Sequence, residues 1–239
     1  MADQFFNREI KVTADGSHTL FLPGWNEHYH SVHGAIAESR HVFIDNGFER
    51  VARTKNNIHL LEVGFGTGLN ALLTLARADA LGCRVSYTAI EPYPLSEKEV
   101  RALNHGQLIE GGAFADAFAM MHSMSFGKEE SIVKGFDFKK IKECLENIIL
   151  KPDCFDLVYH DAFAPQFQPA LWDEQAFGML HAAMKPHSLI VTYSAKGSVK
   201  RALQACGFRL EHPAGPAGKR EMTVAILVSC QRYFSRSKS

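Results

Sequence analysis

From residue 58 onward, short apolar runs alternate with segments whose apolar residues recur every three or four positions. IHLLEVG (58–64) has the length and continuity of a buried strand, and LNALLTLARA (69–78) behind it has helical spacing. The same pairing recurs four times. RVSYTAIEP (84–92) precedes SEKEVRALN (96–104), and SIVKGF (131–136) precedes KKIKECLENII (139–149). FDLVYHDAF (155–163) precedes a helix over 173–184, and SLIVTYSA (188–195) precedes GSVKRALQACGF (197–208). Strands that alternate with helices predict a parallel sheet with right-handed crossovers and helices on both faces. The last two apolar runs, FRLEHP (208–213) and REMTVAILVS (220–229), are joined by a Gly/Pro loop too short for a helix, so they must pair antiparallel. The expected fold is therefore α/β, a mostly parallel sheet closed by a C-terminal antiparallel hairpin. Residues 1–57 lack this rhythm and are expected to form a small N-terminal cap over the sheet's C-terminal edge, where open α/β sheets bind ligands. Residues 58–230 would form the core and 231–239 a polar tail.

Composition changes this picture little. The 239 residues are 46% apolar and 22% charged, which excludes disordered, collagen-like and coiled-coil classes. No run reaches the roughly 20 apolar residues of a membrane span, and the start MADQFFNREIKV does not read as a secretory leader. Five scattered cysteines without a CxxC pair suggest reduced thiols in a cytoplasm. Charge adds more. The chain is formally neutral, yet after residue 184 it holds ten Lys/Arg against two Glu, a net of +8 that leaves −8 on the remainder. A basic end on an otherwise acidic chain points toward a polyanion, with Lys196, Lys219 and Arg220 as candidate phosphate contacts. A solvated basic face is the plainer alternative for any one of them.

The strongest local motif is Gly64-Phe65-Gly66-Thr67-Gly68-Leu69-Asn70, placed after a strand and at the start of a helix. Glycines there let a ligand approach the backbone while the helix N-terminus offers unpaired N–H groups. A dinucleotide fingerprint would require its third glycine at position 69, which is Leu. The GxGxG form is similar to the loop of Rossmann-like, class I S-adenosylmethionine (SAM) methyltransferases, and a merely tight strand–helix turn is the alternative. Glu62 and Asn70 flank the loop as further cofactor-binding candidates. Glu91 ends the second strand, where an acid can accept both ribose hydroxyls. Phe136-Asp137-Phe138 closes the expected third strand, and resemblance to such methyltransferases implies that Asp137 meets the adenine amino group, with Asp116 as its competitor and a helix cap as the bland reading.

Asp161 ends the fourth strand in YHDAFAP. A carboxylate on that edge can orient an amine and favour loss of its proton. Asp173 is better placed to cap the next helix, which leaves Asp161 for the site. His28, His30 and His33 lack the carboxylate or thiol partners that a catalytic metal wants, so no metal is expected.

Taken together, LLEVGFGTGLNALLTL, YHDAFAPQFQPALWDEQAF, TYSAKGSVKRALQACGF and PAGPAGKREMTVA resemble the methyltransferase domain of the MnmC family of tRNA wobble-uridine modifiers, in its stand-alone form. The likeness spans roughly residues 15–229 and includes HYHSVHGAIAESRHVFIDNGF. It implies methyl transfer from SAM to the amine of 5-aminomethyl-(2-thio)uridine in tRNA. By that resemblance Gly64, Phe65, Gly66, Thr67, Gly68 and Glu91 bind the cofactor. Asp161, Phe163 and Pro165 form the acceptor pocket, and Tyr29, Ser31 and Glu38 belong to its wall. A flavin-dependent oxidase, which would prepare the amine, is expected to be a separate protein. Three rivals are a nicotinamide oxidoreductase, an aminopropyltransferase-like or small-molecule amine N-methyltransferase, and a non-catalytic nucleic-acid-binding module.

Overall fold

In the computed structural model, which describes residues 7–228, an eight-stranded sheet runs through the molecule in the order β10-β11-β9-β8-β4-β5-β7-β6. Its strands are β4 (Asn57–Val63), β5 (Arg84–Ile90), β6 (Glu129–Val133), β7 (Phe136–Ile141), β8 (Phe155–His160), β9 (Met184–Thr192), β10 (Arg209–Glu211) and β11 (Thr223–Ile226). The strands β9, β8, β4, β5 and β7 are parallel, and β11 and β10 close one edge antiparallel, as the short Gly/Pro loop demands.

The parallel strands are buried on both faces, and successive residues feed two different cores. Leu60, Tyr87 and Tyr159 pack under α3 (Leu69–Leu81) and α6 (Ala115–Ser123). Leu61, Ile90 and Val158 pack under α7 (Glu174–Ala183) and α8 (Gly197–Ala205). The two-residue period of a strand thus builds three layers. Asp173 caps α7 by accepting the Ala176 N–H at 2.9 Å, which keeps it out of the ligand edge.

One expected element is different. The third parallel strand is β7, not 131–136, and no helix covers 139–149. VKGF is a hairpin turn with Gly135 at φ +89°, so β6 and β7 pair antiparallel. Ile141, Leu145 and Ile148 are spaced as on a helix, but Ile141 ends the strand and only a single 3-10 turn, Leu145–Asn147, follows. Phe136, Phe138 and Lys140 alternate inward instead, a period of two that governs the segment.

The N-terminal segment folds as a three-stranded antiparallel sheet of β1 (Glu9–Val12), β2 (His18–Leu22) and β3 (Glu27–His28). A helical run over 35–52 follows, in which α1 (Ala35–Ser39) and α2 (Glu49–Ala52) flank a wider π-helical stretch, Arg40–Phe48. Val42, Phe43 and Phe48 of this run enter the core beside α3. Short helices α4 (Glu97–Ala102) and α5 (His105–Leu108) complete the fold. Asn104, between them, holds the small sheet by accepting the His18 N–H and donating to the Gly16 carbonyl. No helix among the described residues is long and apolar enough to cross a membrane. The polar tail 231–239 lies outside the described residues.

Candidate active site

The chain runs from β4 outward to β5 and β7, then returns to β8 on the other side of β4. That reversal opens a crevice at the C-terminal ends of β4 and β8, the place where doubly wound sheets bind ligands. A cavity of about 620 Å³ occupies it. Its walls come from the glycine loop, the ends of β5 and β8, the loop after β7, and the N-terminal segment around Tyr29, Ser31 and Glu38.

The glycine loop is shaped by what surrounds it. At Gly64 (φ +93°) a side-chain carbon would sit 2.5 Å from the Asp161 carbonyl oxygen, so only glycine lets the ends of β4 and β8 approach. Gly66 (φ +49°) passes under Tyr29, and its N–H donates to Glu91 Oε2 at 2.8 Å. The Tyr93 N–H donates to Glu91 Oε1 at 2.8 Å. Glu91 therefore keeps one backbone N–H on each oxygen while lining the cavity. Burial pushes its carboxyl upward, and those two N–H groups oppose the shift. Thr67 is clamped from two sides. His30 Nε2 meets its hydroxyl at 2.7 Å, and His122 Nε2 lies 3.1 Å from its carbonyl. Burial lowers both histidines to about 4, so they hold the loop as neutral rings.

Asp161 lies across from this loop. Its N–H donates to the Val63 carbonyl, which extends the β4–β8 pairing by one residue. Its Oδ2 accepts from Asn70 Nδ2 at 2.8 Å. Burial is the main influence on its carboxyl and raises it to about 7; the Asn70 bond and the Lys219 charge pull it down, while Glu38 pushes it up. Beside it, Phe163 is fixed through its backbone: its N–H donates to Gln168 Oε1, and its carbonyl accepts from the Trp172 indole. The Phe163 ring meets Tyr29 and Trp25 edge-on at 4.9 and 5.4 Å, and Trp25 stacks on Phe167 at 5.1 Å. The rim beside Asp161 is thus aromatic.

Several sequence candidates are displaced. Asp137 sits near the start of β7, in register with Ser86 of β5. That is the end of the sheet remote from Glu91, five residues along β5 from Ser86 and about 16 Å away at 3.3 Å per strand residue. The error follows from the misplaced third strand. Residues Cys144, Leu145 and Glu146, after the true strand end, line the cavity instead. Asp116 lies in the first turn of α6 and is not in the cavity wall either. Glu62, Asn70 and Gly68 also stand behind the wall; Glu62 is fully buried and Asn70 is 2% exposed. Pro165 follows Ala164, whose carbonyl accepts two turn N–H groups, and the cavity is met by Ala164 and Phe167 on either side of it.

The basic candidates separate. Lys219, whose side chain stays 37% exposed, reaches the cavity wall, donates to Glu38 Oε1 at 2.8 Å and places its ammonium 4.1 Å from the centre of the Tyr193 ring. Glu38 Oε2 in turn holds the Ser31 N–H at 2.7 Å. Lys196 is exposed and bonded to Gln166, and Arg220 is exposed. Sequence reasoning had no signal for Arg8, which binds Tyr29 Oη, Glu99 and the Tyr93 carbonyl and so ties the N-terminal segment to the cavity rim.

Residues 114–228 match the model of a family described as S-adenosyl-L-methionine-dependent methyltransferase. The chain is 33% identical to the tRNA 5-methylaminomethyl-2-thiouridine biosynthesis bifunctional protein MnmC of Burkholderia multivorans over 94% of its own length, and 30% identical to that of Cupriavidus metallidurans over 87%. It spans only 35% and 32% of those relatives. Among solved structures, MnmC2 from Aquifex aeolicus superposes with a TM-score of 0.72 at 26% identity, covering 92% of this chain and 70% of that one. The cavity suits the cofactor that this family uses: the glycine loop and the buried Glu91 carboxylate, joined by the Gly66 N–H, line the same wall. Sheet order, glycine loop and these likenesses make residues 114–228 an S-adenosyl-L-methionine-dependent methyltransferase domain and the chain as a whole similar to one part of the MnmC proteins.

Proposed function

We propose that this chain methylates the amine of 5-aminomethyl-(2-thio)uridine at the tRNA wobble position, giving the methylaminomethyl form. The observation that carries the reading is Asp161: one carboxylate on the acceptor side of a cavity whose other side is the cofactor loop. When bound, SAM supplies an electrophilic methyl group on sulfur. Gly64, Phe65, Gly66, Thr67 and Glu91 would hold it, with Cys144 to Glu146 toward the adenine end. Asp161 takes hydrogen bonds from the incoming amine, favours its unprotonated form by accepting a proton, and faces the charge that develops on nitrogen. Its carboxyl near 7 suits that exchange at neutral pH. Tyr29, Phe163 and Phe167 offer ring faces and edges to a base splayed from the anticodon loop. Lys196 and Arg220 are left outside to meet flanking phosphates.

The relatives' names support the tRNA substrate. The Lys219 ammonium in the wall argues against an aminopropyltransferase, whose polycationic acceptor needs an acidic pocket. On this reading residues 1–57 cap the site and 58–230 form the catalytic core. The protein works in the cytoplasm, and an activity of the flavin-dependent oxidase class supplies the aminomethyl group. The test is transfer of labelled methyl from SAM to bulk tRNA from cells lacking the modification, followed by nucleoside analysis. Label in 5-methylaminomethyl-(2-thio)uridine is expected; label in small amines but never in tRNA would overturn the reading.

A further inference from the structure

Behind the cavity wall, one side-chain amide serves two carboxylates. Asn70 Nδ2 lies 2.8 Å from Asp161 Oδ2 and 2.9 Å from Glu62 Oε1, so each of its N–H bonds has a carboxylate acceptor. Glu62 Oε2 accepts the Tyr87 hydroxyl at 2.8 Å. Glu62, Asn70 and Tyr87 are 0%, 2% and 1% exposed, and none of them reaches the cavity. The Asn70 carbonyl oxygen is buried with no donor. Turning the amide over would place that oxygen between two carboxylate oxygens and take the donors from both. An orphaned acceptor costs less than two buried carboxyl groups left without donors.

We propose that Asn70 is a positioning residue for Asp161, and that Glu62, itself held by Tyr87, fixes the orientation of the Asn70 amide. The inference rests on the reading of Asp161 as the residue that meets the acceptor amine. Binding Oδ2 from behind prevents rotation of the carboxylate and leaves Oδ1, which accepts no hydrogen bond from the described residues, for the substrate. It also stabilises the charged form of Asp161 against burial, in the same direction as Lys219 and against Glu38. Those two groups belong to the 214–221 loop and the 35–52 helix and are untouched by changes at 62 or 70.

The experiment compares Asn70→Ala, Glu62→Gln, Glu62→Met and Asp161→Asn in tRNA methyl transfer across pH. SAM affinity by calorimetry, thermal melting and the 13C titration of the Asp161 carboxyl, assigned by its absence in D161N, accompany it. Asn70→Ala is expected to reduce kcat roughly 10–100-fold, the scale of a misaligned catalytic group. It should move both the acid limb and the carboxyl titration upward by about one pH unit, the worth of one hydrogen bond, with SAM affinity unchanged. Gln at 62 still offers Asn70 an acceptor and should retain kcat within about threefold; Met offers none and should behave like Asn70→Ala. A wild-type pH limb and carboxyl titration in Asn70→Ala, or a parallel loss of SAM affinity, overturns the inference. Should Asn70→Ala not fold, equal behaviour of the Gln and Met variants overturns it. If D161N alone retains turnover, the functional reading fails instead, and the carboxyl titration still decides what Asn70 does to Asp161.

Discussion

Glu91 and Asp161 end strands on either side of β4 and face one cavity, yet they are held in different ways. Glu91 receives two backbone N–H groups, one from the glycine loop and one from its own following turn. Asp161 receives a single side-chain amide from α3. Burial pushes both carboxyls up; two backbone N–H groups oppose the shift at Glu91, and Asp161 is raised to about 7. Backbone donors are part of the chain path and cannot swing away, so they suit a carboxylate whose task is to stay ionised and hold hydroxyls. A lone side-chain donor leaves the second carboxylate poised to exchange a proton. On the proposed function, binding and chemistry are thereby divided between two acids of nearly the same type.

That division can be tested by experiments of decreasing severity. Gly64→Ala should damage both sides together, because the new carbon would meet the Asp161 carbonyl at 2.5 Å; SAM binding by calorimetry and tRNA methylation are expected to be lost together. Survival of either would show that the two strand ends move independently. Asp161→Asn keeps shape and the Asn70 bond but removes the charge. Turnover should fall about 10²–10⁴-fold with SAM affinity unchanged, and near-normal turnover would make the residue structural. Glu91→Ala should do the reverse, weakening SAM by about 1–3 kcal/mol while kcat at saturation survives.

Asp161 also makes stability depend on pH. Its folded carboxyl, near 7, holds a proton that the unfolded chain releases above the ordinary aspartate value of 3.8. The folded state therefore binds more protons between about pH 4 and 7, and stability falls as pH rises through that window. Asp161→Asn lacks this loss, so it should melt above the wild type at pH 8 and level with it at pH 4. Equal melting at both pH values would show that the carboxyl is not raised. The smallest effect is expected outside the cavity. Lys196→Ala with Arg220→Ala should weaken tRNA binding and reduce its log–log salt slope by about 0.7–0.9 per lost contact, with SAM binding intact. Lys219→Ala should leave that slope alone, because its ammonium is committed to Glu38 and Tyr193.

Much of the cofactor side was legible in the chain because its determinants are local. An apolar run, a GxGxG turn and a helix lie within 25 residues, and Gly66 and Glu91 are 25 apart. Asp161 was legible as the last residue of an apolar run, with Asp173 present to take the capping role. The adenine side was misread because helical spacing at Ile141, Leu145 and Ile148 competed with a two-residue period in FDFKKI. Only pairing with β5 and β6 shows which period governs.

By itself the sequence determined the layer architecture, and it placed the glycine loop and the acid at the end of β8 that line the cavity. Each of these is written in periodicity and in the identity of residues close together in the chain. The tertiary structure alone decided which polar groups meet. Asn70 reaches Asp161 across 91 residues and Lys219 reaches Glu38 across 181. A hydrogen bond is a matter of ångströms and angles between side chains that packing brings together, and periodicity carries no record of it. Thus Lys219, one more basic residue in the sequence, became part of the acceptor wall, and Asn70, a neighbour of the glycine loop, became the support of Asp161.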